Sequence, residues 1–314
     1  MRPPELPRPL RILPELAEHA ERIFAAARAP NTRRARSNDW QVFTAWCAAH
    51  GEMALPATVD TVISFLLACT METTADARKP ATLKRYLSTI SVAHGAAGHP
   101  SPTRDVRVGE AMDGIRRTMG MAQRLAAPLT SDLLERIQTT NPSDRNWLIL
   151  CFGQASACRR SELCALNVED LTFNERGVAI RIGKSKTDQE AKGTLIGVER
   201  RAGPLCPVLA VERWLQVCRA THGPLFVALT RNGAPSGRRL GARVINAVVK
   251  AAVAGIGIDP ADYSAHSLRA GWVTDRRRAG RKWIEIMAHT RHKELKTVQG
   301  YARYERDPFQ RIDE

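Results

Sequence analysis

The sequence of 314 residues lacks any long apolar run. A helix needs roughly 20 consecutive apolar residues to cross a bilayer, and no window reaches that length. The first residues are basic and rich in proline, and they contain no unbroken apolar stretch of the kind found in secretory signals. We therefore expect a cytoplasmic protein with no transmembrane segment and no membrane partner.

Cysteine is scarce, and its spacing is irregular. The seven cysteines include no Cys-x-x-Cys pair, and their number is odd. Zinc sites and disulfide frameworks need cysteines paired at set spacings, so we expect reduced, mostly buried thiols and no metal site. The cysteines are Cys47, Cys69, Cys151, Cys158, Cys164, Cys206 and Cys218.

Acidic residues are the minority among the charged residues. The sequence has 32 aspartates and glutamates against 47 lysines and arginines, which gives a formal net charge of +15. Its hydrophobic fraction of 44% is enough to build ordinary cores, so the chain is not disordered overall. A positive excess of this size indicates a polyanionic partner, of which nucleic acid is the commonest, although a generally basic protein shares the same composition.

Strand-like alternation is missing from the first part of the chain. Residues 1–13 contain four prolines and are predicted to form a flexible arm. Residues 14–120 have the apolar spacing of helices, which predicts an all-helical domain, and residues 121–129 are the predicted linker. The five candidate helices of this domain are residues 15–27, 31–50, 58–69, 80–96 and 106–118.

Residues 130–314 are predicted to form a second domain that is mostly helical with one small sheet. Apolar residues alternate at 178–182 and again at 194–198, which is typical of two strands joined by a polar turn. Candidate helices cover residues 130–139, 143–158, 207–219, 241–254, 267–278, 282–288 and 296–304.

Two basic clusters lie at predicted helix starts in the first domain. Free N–H groups and the helix dipole attract phosphates there, and basic side chains add charge-assisted hydrogen bonds. Any one of these residues also fits a solvated helix face, but two clusters in a chain of this charge favour DNA phosphate contacts. The predicted DNA-binding residues are Arg33, Arg34, Arg36, Lys79, Thr82, Lys84 and Arg85.

The second domain carries short stretches with residues able to do chemistry. Arg159 and Glu162 are three apart, so on a helix they share a face and the carboxylate would hold the guanidinium in position. A lysine in the polar turn between the strands, Lys184 or Lys186, would donate a proton to a leaving alkoxide. Taken singly, these stretches also fit an ordinary ion pair and a solvated turn.

Two further stretches add an imidazole, a guanidinium and a phenol. His266 and Arg269 share a helix face, where a neutral imidazole accepts a proton and an arginine binds an oxyanion. Tyr301 lies in the last candidate helix. A phenol has a pKa of about 10 and is a poor nucleophile unless its anion is stabilised, which two arginines and a lysine nearby would help to do.

The order Arg-x-Ser-Glu-Leu, hairpin lysine, His-x-Leu-Arg, histidine and tyrosine resembles the signature of the tyrosine recombinase (phage integrase) family. In that family the tyrosine follows the histidine or tryptophan position by nine residues, and Tyr301 follows His292 by nine. The resemblance covers nearly the whole chain. It implies a mainly α fold, with a SAM-like core-binding domain over 14–120 and a mixed α catalytic domain of the DNA breaking-rejoining type, with a small β-sheet, over 130–314.

The resemblance also implies a role for each matching position. Arg159 and Arg269 would hold the non-bridging oxygens of the scissile phosphate, and Glu162 would support them without touching DNA. Lys186 would be the general acid for the 5′-hydroxyl, although Lys184 stays open as its alternative.

In the remaining implied roles, His266 would act as general base or proton manager and His292 would hydrogen-bond the phosphate. Tyr301 would be the nucleophile that forms a 3′-phosphotyrosine. Because that bond conserves the energy of the phosphodiester, neither a metal nor a nucleotide cofactor is expected. Weaker alternatives are Arg160 for Arg159, Tyr304 for Tyr301 and His289 for His292.

Two positions depart from the family pattern. Ser156-Ala157-Cys158 stands where Thr-Gly-Leu often precedes the first arginine, and Arg291 stands where a glycine is common before His292. If the first glycine needs a positive φ, an alanine in its place would shift the Arg159 loop.

The function implied is a site-specific recombinase that cleaves and rejoins duplex DNA, for integration, excision or resolution of a mobile element or replicon. It would act as a homotetramer on two sites, with a dimer at each, and associate with the nucleoid when bound. A type IB topoisomerase and a non-catalytic DNA-binding accessory protein of the same fold are the alternatives. The two basic clusters and a competent residue at every expected catalytic position favour the recombinase.

Overall fold

The computed structural model describes residues 13–26, 30–71, 77–120, 126–183 and 193–301. The predicted N-terminal arm therefore lies outside the described residues apart from its last position. All seven cysteines are among the described residues, and none of them forms a disulfide. None of the described helices combines the length and the apolar character needed to cross a membrane.

The chain divides into two compact units, residues 1–123 and 124–314. The described part of the first unit is helical, which confirms the prediction of an all-helical first domain. Thr58 starts the third helix by accepting the backbone N–H of Thr61 at 3.0 Å, and Pro80 starts the fourth. The α-helices are α1 (Ala17–Ala26), α2 (Pro30–Ala49), α3 (Val59–Ala68), α4 (Pro80–Ala96) and α5 (Val106–Met119), with short 3-10 helices at Pro14–Leu16 and Pro102–Arg104.

Aromatic side chains fill the core of the first unit. Phe43 and Phe65 are buried with ring centroids 5.1 Å apart, and Tyr86 packs against Phe65 at 5.5 Å. These rings come from α2, α3 and α4, so burial of their apolar surface holds the three helices together.

The second unit is mainly helical, as predicted, and carries small antiparallel sheets. Its helices are α6 (Ser131–Gln138), α7 (Asp144–Ser156), α8 (Arg160–Ala165), α9 (Pro207–Cys218), α10 (Ala242–Gly255), α11 (His266–Arg278), α12 (Trp283–Thr290) and α13 (Leu295–Gln299). Its strands are β1 (Leu171–Asn174), β2 (Gly177–Ile182), β3 (Thr194–Glu199), β4 (Val227–Leu229) and β5 (Pro235–Arg239).

The predicted strand pair is confirmed, but the prediction of a single sheet is wrong. β2 and β3 pair antiparallel, with Ile180 opposite Ile196, and β1 adds a third strand next to β2. β4 and β5 form a second, two-stranded sheet. These extra strands are short, and β5 reads Pro-Ser-Gly-Arg-Arg, so the alternation that predicts strands is missing from them.

Helix α7 runs through the centre of the second unit. All ten residues of its last part, from Trp147 to Ser156, are buried. A helix that is enclosed on every side has little freedom to shift. Its C-terminal end therefore gives a fixed starting point for the loop that carries Arg159.

Candidate active site

A tight turn after α7 places Arg159 at the start of α8. Ala157 adopts the left-handed conformation with φ 47°, and Arg159 is the N-cap of α8 rather than a residue within it. The backbone at this position thus has the left-handed conformation that glycine adopts most easily, but the residue there is an alanine. Arg159 thus precedes the first turn of α8 and Glu162 lies within it, and the predicted contact between the carboxylate and the guanidinium is present.

Glu162 holds Arg159 by both its side chain and its backbone. Glu162 Oε1 accepts a hydrogen bond from Arg159 Nη1 at 2.7 Å, and Oε2 accepts one from the Arg159 backbone N–H at 2.8 Å. The carboxylate is 3% exposed, whereas the Arg159 side chain is 22% exposed. The pair therefore keeps the guanidinium of Arg159 at the protein surface in a fixed orientation.

Arg269 is buried in the first turn of α11. Its Nη1 donates to the carbonyl oxygen of Ala157 at 2.6 Å, and its Nη2 donates to the carbonyl oxygen of Thr290. Burial lowers the pKa of Arg269 to about 10, so the guanidinium stays charged at neutral pH. Its hydrogen bonds to described residues are made with neutral groups, so its positive charge lacks a directly bonded carboxylate and favours an anion nearby.

Tyr301 and His266 meet across the site. The Tyr301 hydroxyl lies 2.6 Å from His266 Nε2. Desolvation lowers the pKa of His266, and the charges of Arg269 and Arg159 lower it further, so its imidazole is neutral at pH 7 and can accept the phenol proton.

The phenol itself does not become more acidic in this environment. Burial raises the pKa of Tyr301, and the opposing effects of Arg269 and Arg159 are smaller. The two arginines thus lower the pKa of the phenol, as expected, but desolvation of the phenolate outweighs their effect. A base in contact with the hydroxyl is needed instead.

His292 lies beside both Tyr301 and Arg269. Its ring centroid is 5.6 Å from that of Tyr301, and its Nε2 is 3.0 Å from Arg269 Nη2. Burial, followed by the charges of Arg269 and Arg159, lowers the pKa of His292 to about 3, so the ring is neutral. Thr290 Oγ1 contacts its Nδ1 at 2.7 Å and orients the ring.

The weaker alternatives occupy other surroundings or lie outside the described residues. His289 stacks on Trp272 at 4.1 Å and directs Nε2 to the carbonyl oxygen of Ala155. Arg160 is exposed at the first position of α8. Lys184, Lys186 and Tyr304 lie outside the described residues, so the predicted general acid stays a prediction.

Three contributors to the site were not predicted as functional. The carbonyl groups of Ala157 and Thr290 hold Arg269, and Arg291 donates from Nη2 to Glu162 Oε2 at 2.6 Å. Every residue has a backbone carbonyl, so the sequence does not show which of them will bind a side chain. The replacement of a common glycine by Arg291 was the one signal available, and it indicated altered geometry rather than a contact.

The predicted DNA-binding residues lie on two packed helices of the first unit. The arginines of the first cluster are in α2. Lys79 is the N-cap of α4, and Thr82, Lys84 and Arg85 are in its first two turns. Arg85 donates from Nε and Nη2 to the buried carboxylate of Asp39 at 2.7 and 2.8 Å, while half of its side chain stays exposed. Arg85 therefore has a structural partner in α2 as well as a solvent-facing surface. The two lysines of this cluster, Lys79 and Lys84, are exposed.

The site in the second unit combines a phenol, a neutral imidazole that touches it, and guanidinium groups close by. Such a set is suited to nucleophilic attack on an anionic centre, because the imidazole takes the proton and the guanidiniums stabilise developing negative charge.

Known proteins share both the sequence pattern and the fold. The sequence profile of the phage integrase family matches residues 124–307. An integrase/recombinase XerD homolog of Selenomonas ruminantium is 33% identical over 297 residues, which cover 91% of this chain and 85% of that protein. Recombinase Cre of Escherichia phage P1 is 25% identical over 284 residues, which cover 83% of this chain and 80% of that protein.

A solved structure adds evidence on the fold. A lambda integrase dimer bound to a COC′ core site has a TM-score of 0.61 and 14% identity, over 96% of this chain and 99% of that chain. At this identity the likeness concerns the fold alone. The family profile spans more than half of the sequence and includes Arg159, His266, Arg269, His292 and Tyr301. The chain therefore belongs to the phage integrase family of tyrosine recombinases.

Proposed function

We propose that this chain is a site-specific recombinase that cleaves and rejoins duplex DNA through a 3′-phosphotyrosine on Tyr301. The observation that supports this most directly is the 2.6 Å contact between the Tyr301 hydroxyl and His266 Nε2. The positive charge of Arg269 lies next to it, since Arg269 and Tyr301 both contact His292. A nucleophile, its base and an anion-binding group thus meet at one place.

The proposed cleavage step conserves atoms and charge. The Tyr301 oxygen attacks the phosphorus and forms an O–P bond as the hydroxyl proton passes to His266 Nε2. The bond from phosphorus to the 5′-oxygen breaks, and that oxygen takes a proton from Lys186, or from Lys184. Arg159 and Arg269 stabilise the non-bridging oxygens in the transition state, and His292 contacts Arg269 beside them.

The reverse step rejoins the strand, because a 5′-hydroxyl can attack the phosphotyrosine and release the phenol. No external energy source enters either step. Attack by a 5′-hydroxyl from a different duplex exchanges strands. We propose that two protomers occupy each site and that two such dimers form the working tetramer; the dimeric, DNA-bound lambda integrase of similar fold supports the first part.

DNA binding is proposed to rest in part on the basic clusters of the first unit. Their side chains sit at the N-terminal ends of α2 and α4, where backbone N–H groups add to the attraction for phosphates. The proposed contacts are Arg33, Arg34, Arg36, Lys79, Thr82, Lys84 and Arg85.

The test is to trap the covalent intermediate and identify its tyrosine. The full chain is incubated with genomic DNA from its source cell and denatured, the attached DNA is sequenced, and the modified peptide is found by mass spectrometry. Wild type and Tyr304→Phe should both carry DNA on Tyr301, whereas Tyr301→Phe should carry none and still bind DNA.

The sequences of the trapped ends separate the possible functions. A shared sequence at the cleavage point supports a site-specific recombinase. Unrelated sequences point to topoisomerase-like relaxation, and absence of any adduct in a folded wild-type protein points to an accessory role. An adduct on Tyr304 contradicts the assignment of the nucleophile.

A further inference from the structure

We infer that Arg291 is a positioning residue of this site, which holds Arg159 in its cleavage geometry through the shared carboxylate of Glu162. The inference rests on the proposed function, since it concerns the rate of the cleavage step. It assigns a role to the position at which this chain departs from the glycine common in its family.

The backbone at Arg291 is in a conformation that an arginine rarely adopts. Its φ is 57°, in the left-handed region, where it forms the C-cap of α12 by donating its N–H to the carbonyl oxygen of Met287. Glycine has no Cβ and occupies this region without steric strain, whereas a residue with a long side chain such as arginine is strained there. The backbone alone therefore favours glycine at this position.

The side chain of Arg291 is buried against Glu162. It is 8% exposed, and its Nη2 lies 2.6 Å from Glu162 Oε2. The same carboxylate binds Arg159 through Oε1 and through the Arg159 backbone N–H. One carboxylate thus bridges two guanidiniums that are far apart in sequence.

Burial of Arg291 leaves some of its donors unsatisfied. Nε and Nη1 are buried, and no hydrogen bond to a described residue satisfies them. The thiol of Cys158 is close enough to interact with the Arg291 side chain as a hydrogen-bond acceptor, but a thiol is a weak one. Strained backbone and unpaired donors are both destabilising, so a purely stabilising role explains this arginine poorly, and both features are typical of functional sites.

The bridge connects the two loops that form the site. Glu162 belongs to the α8 start that carries Arg159, while Arg291 directly precedes His292. Glu162 binds Arg291 as well as Arg159, so the carboxylate that holds Arg159 is itself held in place. The Arg159 guanidinium keeps further N–H donors that can bind a phosphate. The buried Arg291 is not placed to bind that phosphate, so it acts through Glu162.

A matched pair of variants tests this inference. Arg219 is also an arginine with left-handed φ, 51°, at the C-cap of α9, but it is exposed and no described side-chain contact involves it. Arg291→Gly and Arg219→Gly therefore remove the same charge and relieve the same kind of strain. Each is compared with wild type in single-turnover cleavage of a trapped target sequence at saturating protein, in DNA affinity and in melting temperature.

We expect Arg291→Gly to cleave about tenfold more slowly or worse, because a slightly misplaced catalytic group is enough for such a loss. Arg219→Gly should cleave at close to the wild-type rate. Both variants should bind DNA with similar affinity and melt near wild type. Equal cleavage rates in the two folded variants would overturn the inference.

Two more variants separate positioning from general structural damage. Arg291→Lys keeps a cation beside Glu162 and should cleave faster than Arg291→Gly. In Glu162→Gln the loss caused by Arg291→Gly should largely disappear, because both changes break one chain of contacts. Full additivity contradicts the inference. Failure of the wild type to form any adduct contradicts the proposed function instead, so the two failures are distinguishable.

Discussion

At the scale of single residues, the contact between His266 and Tyr301 indicates which group accepts the phenol proton. The pKa of His266 is below its ordinary value of 6.5, whereas that of Tyr301 is raised above 10. The imidazole is thus unprotonated at neutral pH and the phenol is fully protonated. Within the described residues, His266 is the base in contact with the phenol, so the pH dependence of cleavage should reveal its role.

Cleavage by the wild type should be independent of pH near neutrality and should fall only below pH 6.5, where His266 becomes protonated. His266→Gln should lower the rate by about 100-fold or more, as expected for loss of a general base. Its remaining activity should rise with pH, because hydroxide must then ionise the phenol. The measurement is the single-turnover rate from pH 5 to 9.

His289→Gln is the control for this substitution. His289 is another neutral histidine of the same unit, but it contacts Ala155 and Trp272 instead of Tyr301. This variant should keep the wild-type shape of the pH profile. A His266→Gln enzyme with that same shape would show that the phenol proton goes elsewhere.

The sequence was a good guide to these side chains and a poor guide to what holds them. Tyr301, His266 and Arg269 were predicted to meet, because the order and spacing of their motifs resemble those of the tyrosine recombinase family. The carbonyl of Thr290 and the bridge from Arg291 were not predicted. Both contacts depend on the backbone conformation. The sequence does not reveal that conformation when an arginine occupies a position suited to glycine.

At the scale of elements, helix α11 is fixed by the chain that enters the second unit. The backbone N–H of Leu129 donates to the carbonyl oxygen of Ser267 at 2.9 Å. Two turns further along, Asp275 Oδ2 accepts hydrogen bonds from the backbone N–H and the hydroxyl of Ser131 at 2.9 and 2.8 Å. Between them lies Gly271, where a Cβ would meet the Leu129 oxygen at 1.8 Å.

Gly271→Ala should therefore destabilise the second unit strongly. The methyl group would meet backbone atoms, which cannot move aside as the end of a flexible side chain can. We expect a loss of about 3 kcal/mol, which is roughly 10 °C in melting temperature for a unit of this size. Thermal unfolding followed by circular dichroism measures it.

Gly255→Ala is the control within the same unit. Gly255 is also helical, in α10, and a Cβ there would meet no atom within 4 Å. The variant should be neutral or more stable by up to about 1 kcal/mol, because alanine favours helix over glycine. Equal melting temperatures for the two variants would show that the Leu129 backbone does not pack closely against α11.

Elements were predicted where a periodic pattern exists and missed where it does not. The β2–β3 pair has clear alternation of apolar residues and was predicted. β5 was missed because its residues are polar or small, and its pairing with β4 is a tertiary effect. The contact of Leu129 with Gly271 was equally invisible, because a glycine in a helix gives no sign of which backbone lies against it.

At the scale of the whole molecule, the net charge of +15 sets how binding responds to salt. A protein that neutralises about ten DNA phosphates releases counterions, and log Kd then changes with log salt by a slope near 9 in magnitude. We expect affinity to fall this steeply with rising salt, as measured by fluorescence anisotropy on a duplex. A flat response contradicts DNA as the partner.

Single charges should contribute to this slope according to their position. Lys84→Ala should reduce the magnitude of the slope by about 0.9, because one phosphate contact is lost. Arg104→Ala removes an equal charge in the same unit, from an exposed residue beyond the other end of α4, and should leave the slope unchanged. The same reduction in both variants would mean that general charge, and not the cluster, governs binding.

The left-handed backbone at Arg291 also has a genetic consequence. Every arginine codon is a single base change away from a glycine codon, and glycine is the residue that the backbone there accepts without strain. Mutation therefore supplies the replacement readily, and folding does not oppose it. Among close relatives, retention of this arginine should go together with retention of the acidic partner at 162, so the two positions should vary as a pair.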